Sequence, residues 1–100
     1  MLIIKKFKYF EFNSNNIIDM SSMFYGCSSL KELNLSNINT NNVTNISYML
    51  CRCSSLKELI LTNFNTNNIT DMSYMFYGYS NDLKMKIIKK NKDIRDEAFD

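Results

Sequence analysis

The sequence predicts a small α/β solenoid, with a short parallel sheet on its concave face and short helices on its convex face. Three observations carry that expectation. A unit recurs every 26 residues, two hydrophobic periodicities alternate inside the unit, and asparagine-rich turns separate one unit from the next.

The repeat is explicit. Asp19-Met20-Ser21-Ser22-Met23-Phe24 through Asn41-Asn42-Val43-Thr44 returns as Asn45-Ile46-Ser47-Tyr48-Met49-Leu50 through Asn67-Asn68-Ile69-Thr70, with sixteen of 26 aligned positions identical. A third copy opens at Asp71-Met72-Ser73-Tyr74-Met75-Phe76 and decays after Tyr79. A partial leading copy is visible too, because Ile4, Phe7 and Tyr9 fall one period before Leu30, Leu33 and Leu35. The division is therefore a single domain over residues 1–100. It has a partial leading rung at 4–11, rungs at 12–37, 38–63 and 64–89, and a C-terminal helical cap at 91–99.

Within a unit, Met20, Met23, Phe24 and Cys27 sit at i, i+3, i+4 and i+7, the apolar stripe of a short amphipathic helix. Asp19 is a suitable N-cap, and Gly26 supplies a left-handed residue to end the helix. Leu33 and Leu35 alternate with Glu32 and Asn34, so a short strand follows with its leucines inward. Asn39-Thr40-Asn41-Asn42 is turn chemistry, since asparagine tolerates left-handed backbone and bonds its own main chain. A single unit buries too little apolar surface to offset its own ordering entropy, so units must stack, strand beside strand.

The last copy departs from the pattern. Asn81-Asp82-Leu83 moves the expected leucine one place along, yet Met85 and Ile87 keep register with Leu33 and Leu35, so a strand is expected there as well. In the tail, Ile94 and Ala98 have helical spacing, which fits a cap over the last open core.

Composition narrows function chiefly by exclusion. The chain is 45% hydrophobic and 22% charged, a globular balance, and its net charge of +2 is too small to argue for nucleic acid. There is no histidine, which removes the commonest general base and the commonest transition-metal ligand. No nucleophile–base pair, phosphate loop or metal set is present, so no catalytic residues, cofactor or metal are expected. Cys27, Cys51 and Cys53 are an odd number at spacings unlike a disulfide framework, and Cys53 repeats the inward position of Cys27. Buried, reduced thiols are expected, in preference to half of a soft-metal site at Cys51-Arg52-Cys53. The methionine and aromatic stripe reads as core filler, and the Asn13, Asn39, Asn65 and Asn16, Asn42, Asn68 columns read as ladders bonding turn carbonyls. Met1-Leu2-Ile3-Ile4 runs at once into Lys5 and Lys6, leaving neither a signal-peptide core nor a membrane span, so no membrane insertion is expected.

Candidate binding residues come from alternation on the strand face. Glu32, Glu58 and Lys84 point outward in one column, Lys8, Asn34, Ile60 and Lys86 in the next, and Thr62 lies in a third. Such columns repeat about every 4.8 Å along a parallel sheet and present the surface where an extended partner would lie.

Asn42-Val43-Thr44, Asp71-Met72-Ser73-Tyr74-Met75-Phe76 and Ser28-Ser29-Leu30-Lys31-Glu32-Leu33-Asn34-Leu35-Ser36-Asn37 together resemble the BspA-like leucine-rich repeats, also described as a mycoplasma-type family, DUF285. The resemblance covers roughly residues 4 to 88. It implies a leucine-rich-repeat horseshoe, a cell-surface location and adhesion to host or cell-surface proteins, and it implies no catalytic residues. A non-catalytic protein-interaction module, monomeric or part of a longer array, is the reading that follows. A structural segment of a longer repeat array, with no ligand of its own, is the alternative.

Overall fold

The computed structural model describes residues 16–36, 38–61 and 64–99. The leading partial rung at 4–11 lies outside them. Two strands, β1 (Glu32–Asn34) and β2 (Glu58–Ile60), pair in parallel with Glu32 opposite Glu58, Leu33 opposite Leu59 and Asn34 opposite Ile60. Each pair is one repeat period apart, so the sheet joins equivalent residues. A helix, α1 (Asn81–Lys90), and a 3-10 helix (Asp96–Phe99) complete the regular elements among the described residues.

The helices expected over residues 20–27 and their counterparts are replaced by overlapping tight turns. Ser22, Gly26, Tyr48, Arg52, Tyr74 and Gly78 all have positive φ, from 57° to 92°, so each unit carries two left-handed residues four positions apart. A right-handed helix cannot run through such residues. In the second unit Met49 and Cys53 donate N–H to Ile46 and Leu50, three residues back, closing turns whose third positions are the positive-φ residues Tyr48 and Arg52. The intervening N–H groups point sideways. Ile46, Tyr48, Leu50 and Arg52 donate to the carbonyls of Asp71, Ser73, Met75 and Tyr77 in the next copy, at 2.9–3.1 Å. Met20, Ser22, Phe24 and Gly26 donate in the same way to Asn45, Ser47, Met49 and Cys51. Main-chain groups that a helix would satisfy along its axis are thus satisfied between copies.

Each run of turns opens on the same device. The side-chain oxygens of Asp19, Asn45 and Asp71 accept the N–H two residues on, from Ser21, Ser47 and Ser73, at 2.8–2.9 Å. Asn45 also forms parallel bridges with both Asp19 and Asp71. At Asp19 and Asp71 the bond to the following serine favours the carboxylate, holding both groups below the usual carboxylate range.

The core is a set of columns filled from successive units: Met20, Ile46 and Met72; Phe24, Leu50 and Phe76; Leu33 and Leu59; Val43 and Ile69. Cys27 and Cys53 share one column, and all three cysteines are buried and outside any disulfide. Cys53 Sγ donates to the Phe24 carbonyl at 3.1 Å. Turn asparagines join the copies diagonally. Asn65 Nδ2 donates to Asn41 Oδ1 at 2.9 Å, and Asn68 Nδ2 donates to the Asn41 carbonyl at 2.6 Å.

The third strand expected through Met85 and Ile87 is corrected to α1. Ser80 caps the helix by accepting from Leu83 N–H, Asp82 lies in its first turn, and Lys89 and Lys90 lie in its last, all of which suit the helix dipole. Leu83 and Ile87, at i and i+4, turn to the core, while Met85 is 63% exposed. Met85 and Ile87 keep strand register, but Ser80 starts a helix in which i, i+4 spacing packs Leu83 and Ile87 together against the core. Past α1, the 91–99 segment returns across the third unit, where Glu97 and Ala98 offer carbonyls to Tyr74 and Phe76 N–H.

Candidate interaction surface

Along β1 and β2 the main chain alternates. Leu33, Leu35, Leu59 and Leu61 are buried, while Glu32, Asn34 and Ile60 are half-buried and Glu58 is exposed. Glu32 and Glu58 therefore stand side by side, about 4.8 Å apart along the sheet, as do Asn34 and Ile60. Asn34 is already engaged, its Oδ1 accepting from both Ser36 N–H (2.9 Å) and Ser36 Oγ (2.6 Å). Lys8 and Thr62 lie outside the described residues.

Lys84 and Lys86 do not extend the strand columns, because α1 carries them. Lys84 Nζ sits 5.1 Å from the centroid of the Phe99 ring, a cation–π contact. Lys86 instead borders a cavity of about 520 Å³ between β2 and α1, which Glu58 also lines. Of the strand-face candidates, the fold thus brings together Glu32, Glu58, Asn34 and Ile60 on the sheet, and Glu58 with Lys86 across the cavity. Sequence reasoning missed Lys57, Lys89 and Lys90, which border the same cavity. The signal was present in the cluster Lys84, Lys86, Lys89 and Lys90, but strand spacing hid it.

The aromatic stripe divides by residue type. Phe24, Phe76 and the methionines at 20, 49, 72 and 75 are buried, whereas Tyr25, Tyr48, Tyr74 and Tyr77 face outward. The four form a continuous row, with ring centroids 6.3, 5.1 and 5.9 Å apart from one tyrosine to the next, and Arg52 covers the Tyr77 ring at 5.6 Å.

The thiols offer little reactivity. Burial pushes all three upward, Cys53 to about 12, so the nucleophilic thiolate is scarce near neutral pH. Tyr79, whose hydroxyl donates to the Leu50 carbonyl at 2.8 Å, is raised as well, chiefly by burial. Among the described residues no group of three or more histidine, cysteine or carboxylate side chains is placed to hold a metal ion, and no helix is long and apolar enough to cross a membrane.

Two strands paired one repeat period apart and turns stacked between copies join the described units. The chain belongs to the family described as Mycoplasma protein of unknown function, DUF285, whose model matches residues 4–96. Comparison with curated proteins and with solved structures gives no significant match.

Proposed function

We propose that this chain is a non-catalytic interaction module, a short leucine-rich-repeat solenoid of the BspA-like type that binds a protein partner on its strand face. The observation that carries the reading is the parallel pairing of β1 and β2, which sets Glu32 beside Glu58 and Asn34 beside Ile60 as outward columns over a leucine core. Stacked units make a continuous surface whose side chains are fixed by the sheet, and such rigidity lowers the entropic cost of recognition. The absence of histidine from the sequence and the raised, buried thiols favour binding over catalysis. The resemblance to BspA-like repeats adds adhesion to a host or cell-surface protein as the specific form of binding.

The test is capture from matrix and cell-surface protein preparations by the immobilised chain, compared with a Glu58→Ala/Ile60→Ala variant. A saturable partner lost on the double substitution is the expected result. Capture at background level by the parent chain overturns the assignment.

A further inference from the structure

We propose that the outer edge of β2, which faces α1 across the lysine-bordered cavity, accepts an acidic, extended peptide segment of the partner as an added strand. The inference rests on the interaction-module reading and names the chemistry of its partner. The first observation is the direction of the main chain. Glu58 N–H donates to the Lys31 carbonyl (3.2 Å) and the Ile60 carbonyl accepts from Leu35 N–H (2.9 Å), so these two residues turn their polar groups toward β1. In a parallel ladder the residue between them turns the other way, which points the N–H and C=O of Leu59 to the α1 side. No main-chain hydrogen bond among the described residues meets them there. An edge of this kind is a template for another strand.

The second observation is space. In the first two units a strand sits beside its counterpart, but in the third unit α1 takes the strand's place and leaves a cavity of about 520 Å³, within the range of sites that hold ligands. Leu56, Leu59, Leu83 and Ile87 give it an apolar lining.

The third observation is charge. Lys57, Lys86, Lys89 and Lys90 border the cavity against the single carboxylate of Glu58. The ion pair found among the described residues is Arg95–Glu97, so none of the four lysines is neutralised by a carboxylate of the described chain. An added strand alternates its side chains, which lets apolar residues meet the leucine lining while acidic ones reach the lysines. A small anion would leave the lining and the strand edge unused.

The experiment is fluorescence anisotropy of a labelled peptide of alternating glutamate and valine, titrated with the full chain. Two further peptides carry N-methyl groups on one or the other alternate set of amides, since an edge-added strand uses only one set. Saturable binding, weakened about tenfold by one N-methyl set and unchanged by the other, is expected, as is loss of binding in a Lys86→Glu/Lys89→Glu variant of unchanged circular dichroism. A lysine–valine peptide should not bind. The proposal is overturned by absence of saturable binding, by equal sensitivity to both N-methyl sets, by an oligothymidylate binding as tightly, or by self-association of the chain that occupies the edge. A chain that captures a partner through Glu58 and Ile60 yet ignores the peptide overturns this inference and leaves the broader reading standing.

Discussion

Thr40 offers the most direct test of how one repeat holds the next. It is only 2% exposed, and its Oγ1 makes two bonds to the same residue of the following unit, accepting from Asn65 N–H at 2.8 Å and donating to the Asn65 carbonyl at 3.0 Å. Thr40→Val keeps the branched shape and removes both bonds. Each lost bond with a stranded main-chain partner costs about 1–1.5 kcal/mol here, because half-buried Asn65 recovers part of its hydration. The added methyl group returns up to about 0.8 kcal/mol, leaving a net loss of about 2 kcal/mol. With a urea slope of about 2 kcal/mol/M for a chain of this size, the midpoint should fall by about 1 M. Thr66 is the internal control, since it holds the equivalent position one period later, where no further unit stacks and its hydroxyl makes no hydrogen bond with the described residues. Thr66→Val should change stability by less than about 0.5 kcal/mol. Urea melts followed by circular dichroism measure both variants. Equal effects at the two positions would refute the claim that Thr40 acts between units.

Gly78 has φ of 92° and an open space where a Cβ would lie, 3.9 Å from Arg52 Cγ at the nearest, so Gly78→Ala tests backbone strain without a clash. A loss of about 1–2 kcal/mol is expected in thermal melts, with Gly78→Asn recovering part of it. Tyr79→Phe removes the donor to the Leu50 carbonyl, which still accepts from Cys53 N–H, so a loss near 1 kcal/mol is expected in the same melts. Cys53 binds its proton more tightly folded than unfolded, so its contribution is intact below about pH 9 and is lost as pH rises toward 12. Urea midpoints should fall across that window and fall less in Cys53→Ala relative to its own neutral-pH value, while thiol labelling at pH 8 should follow unfolding. Asp19 and Asp71 behave oppositely, because their lowered folded values give stability present above the ordinary value of 3.8 and lost on acidification. Asp71→Asn, copying Asn45, should flatten that acid loss in a pH series of melts.

Side-chain spacing identified which residues share a core and left their backbone undecided. Met20, Phe24 and Cys27 are buried, and so are Ile46, Met49, Leu50 and Cys53, yet i, i+3, i+4 and i+7 fit a ribbon of four-residue turns as well as a helix of 3.6. What separates the two is left-handed backbone, and only Gly26 and Gly78 announce it in the sequence. Ser22, Tyr48, Arg52 and Tyr74 adopt the same conformation because their neighbours in the adjacent copy hold them there. The period of two at Leu33 and Leu35 was legible because it recurs 26 residues on, where in-register pairing can use it. In Leu83-Lys84-Met85-Lys86-Ile87 the same alternation misled. Met85 keeps register with Leu59, but Ser80 starts a helix whose i, i+4 pair, Leu83 and Ile87, buries the same kind of surface. The surface candidates on β1 and β2 were therefore readable, whereas the lysines of α1 could be placed only once the helix was known.

The two sides of the last unit end differently, and that difference favours the β2 edge as the place for a partner. On the turn side, Tyr74 and Phe76 N–H find the carbonyls of Glu97 and Ala98, as Tyr48 and Leu50 find those of Ser73 and Met75. Arg95 strengthens the mimicry, with Nη2 donating to the Ile69 carbonyl at 3.1 Å and Phe99 stacking on Phe76. The tail thus supplies to Tyr74 and Phe76 the carbonyls that a further unit would supply. On the strand side α1 covers apolar surface through Leu83 and Ile87 but offers β2 no backbone partner. A helix satisfies its own main chain and cannot complete a ladder. The edge that remains can be satisfied by water or by another chain, and the lysines around it select for a chain that carries negative charge.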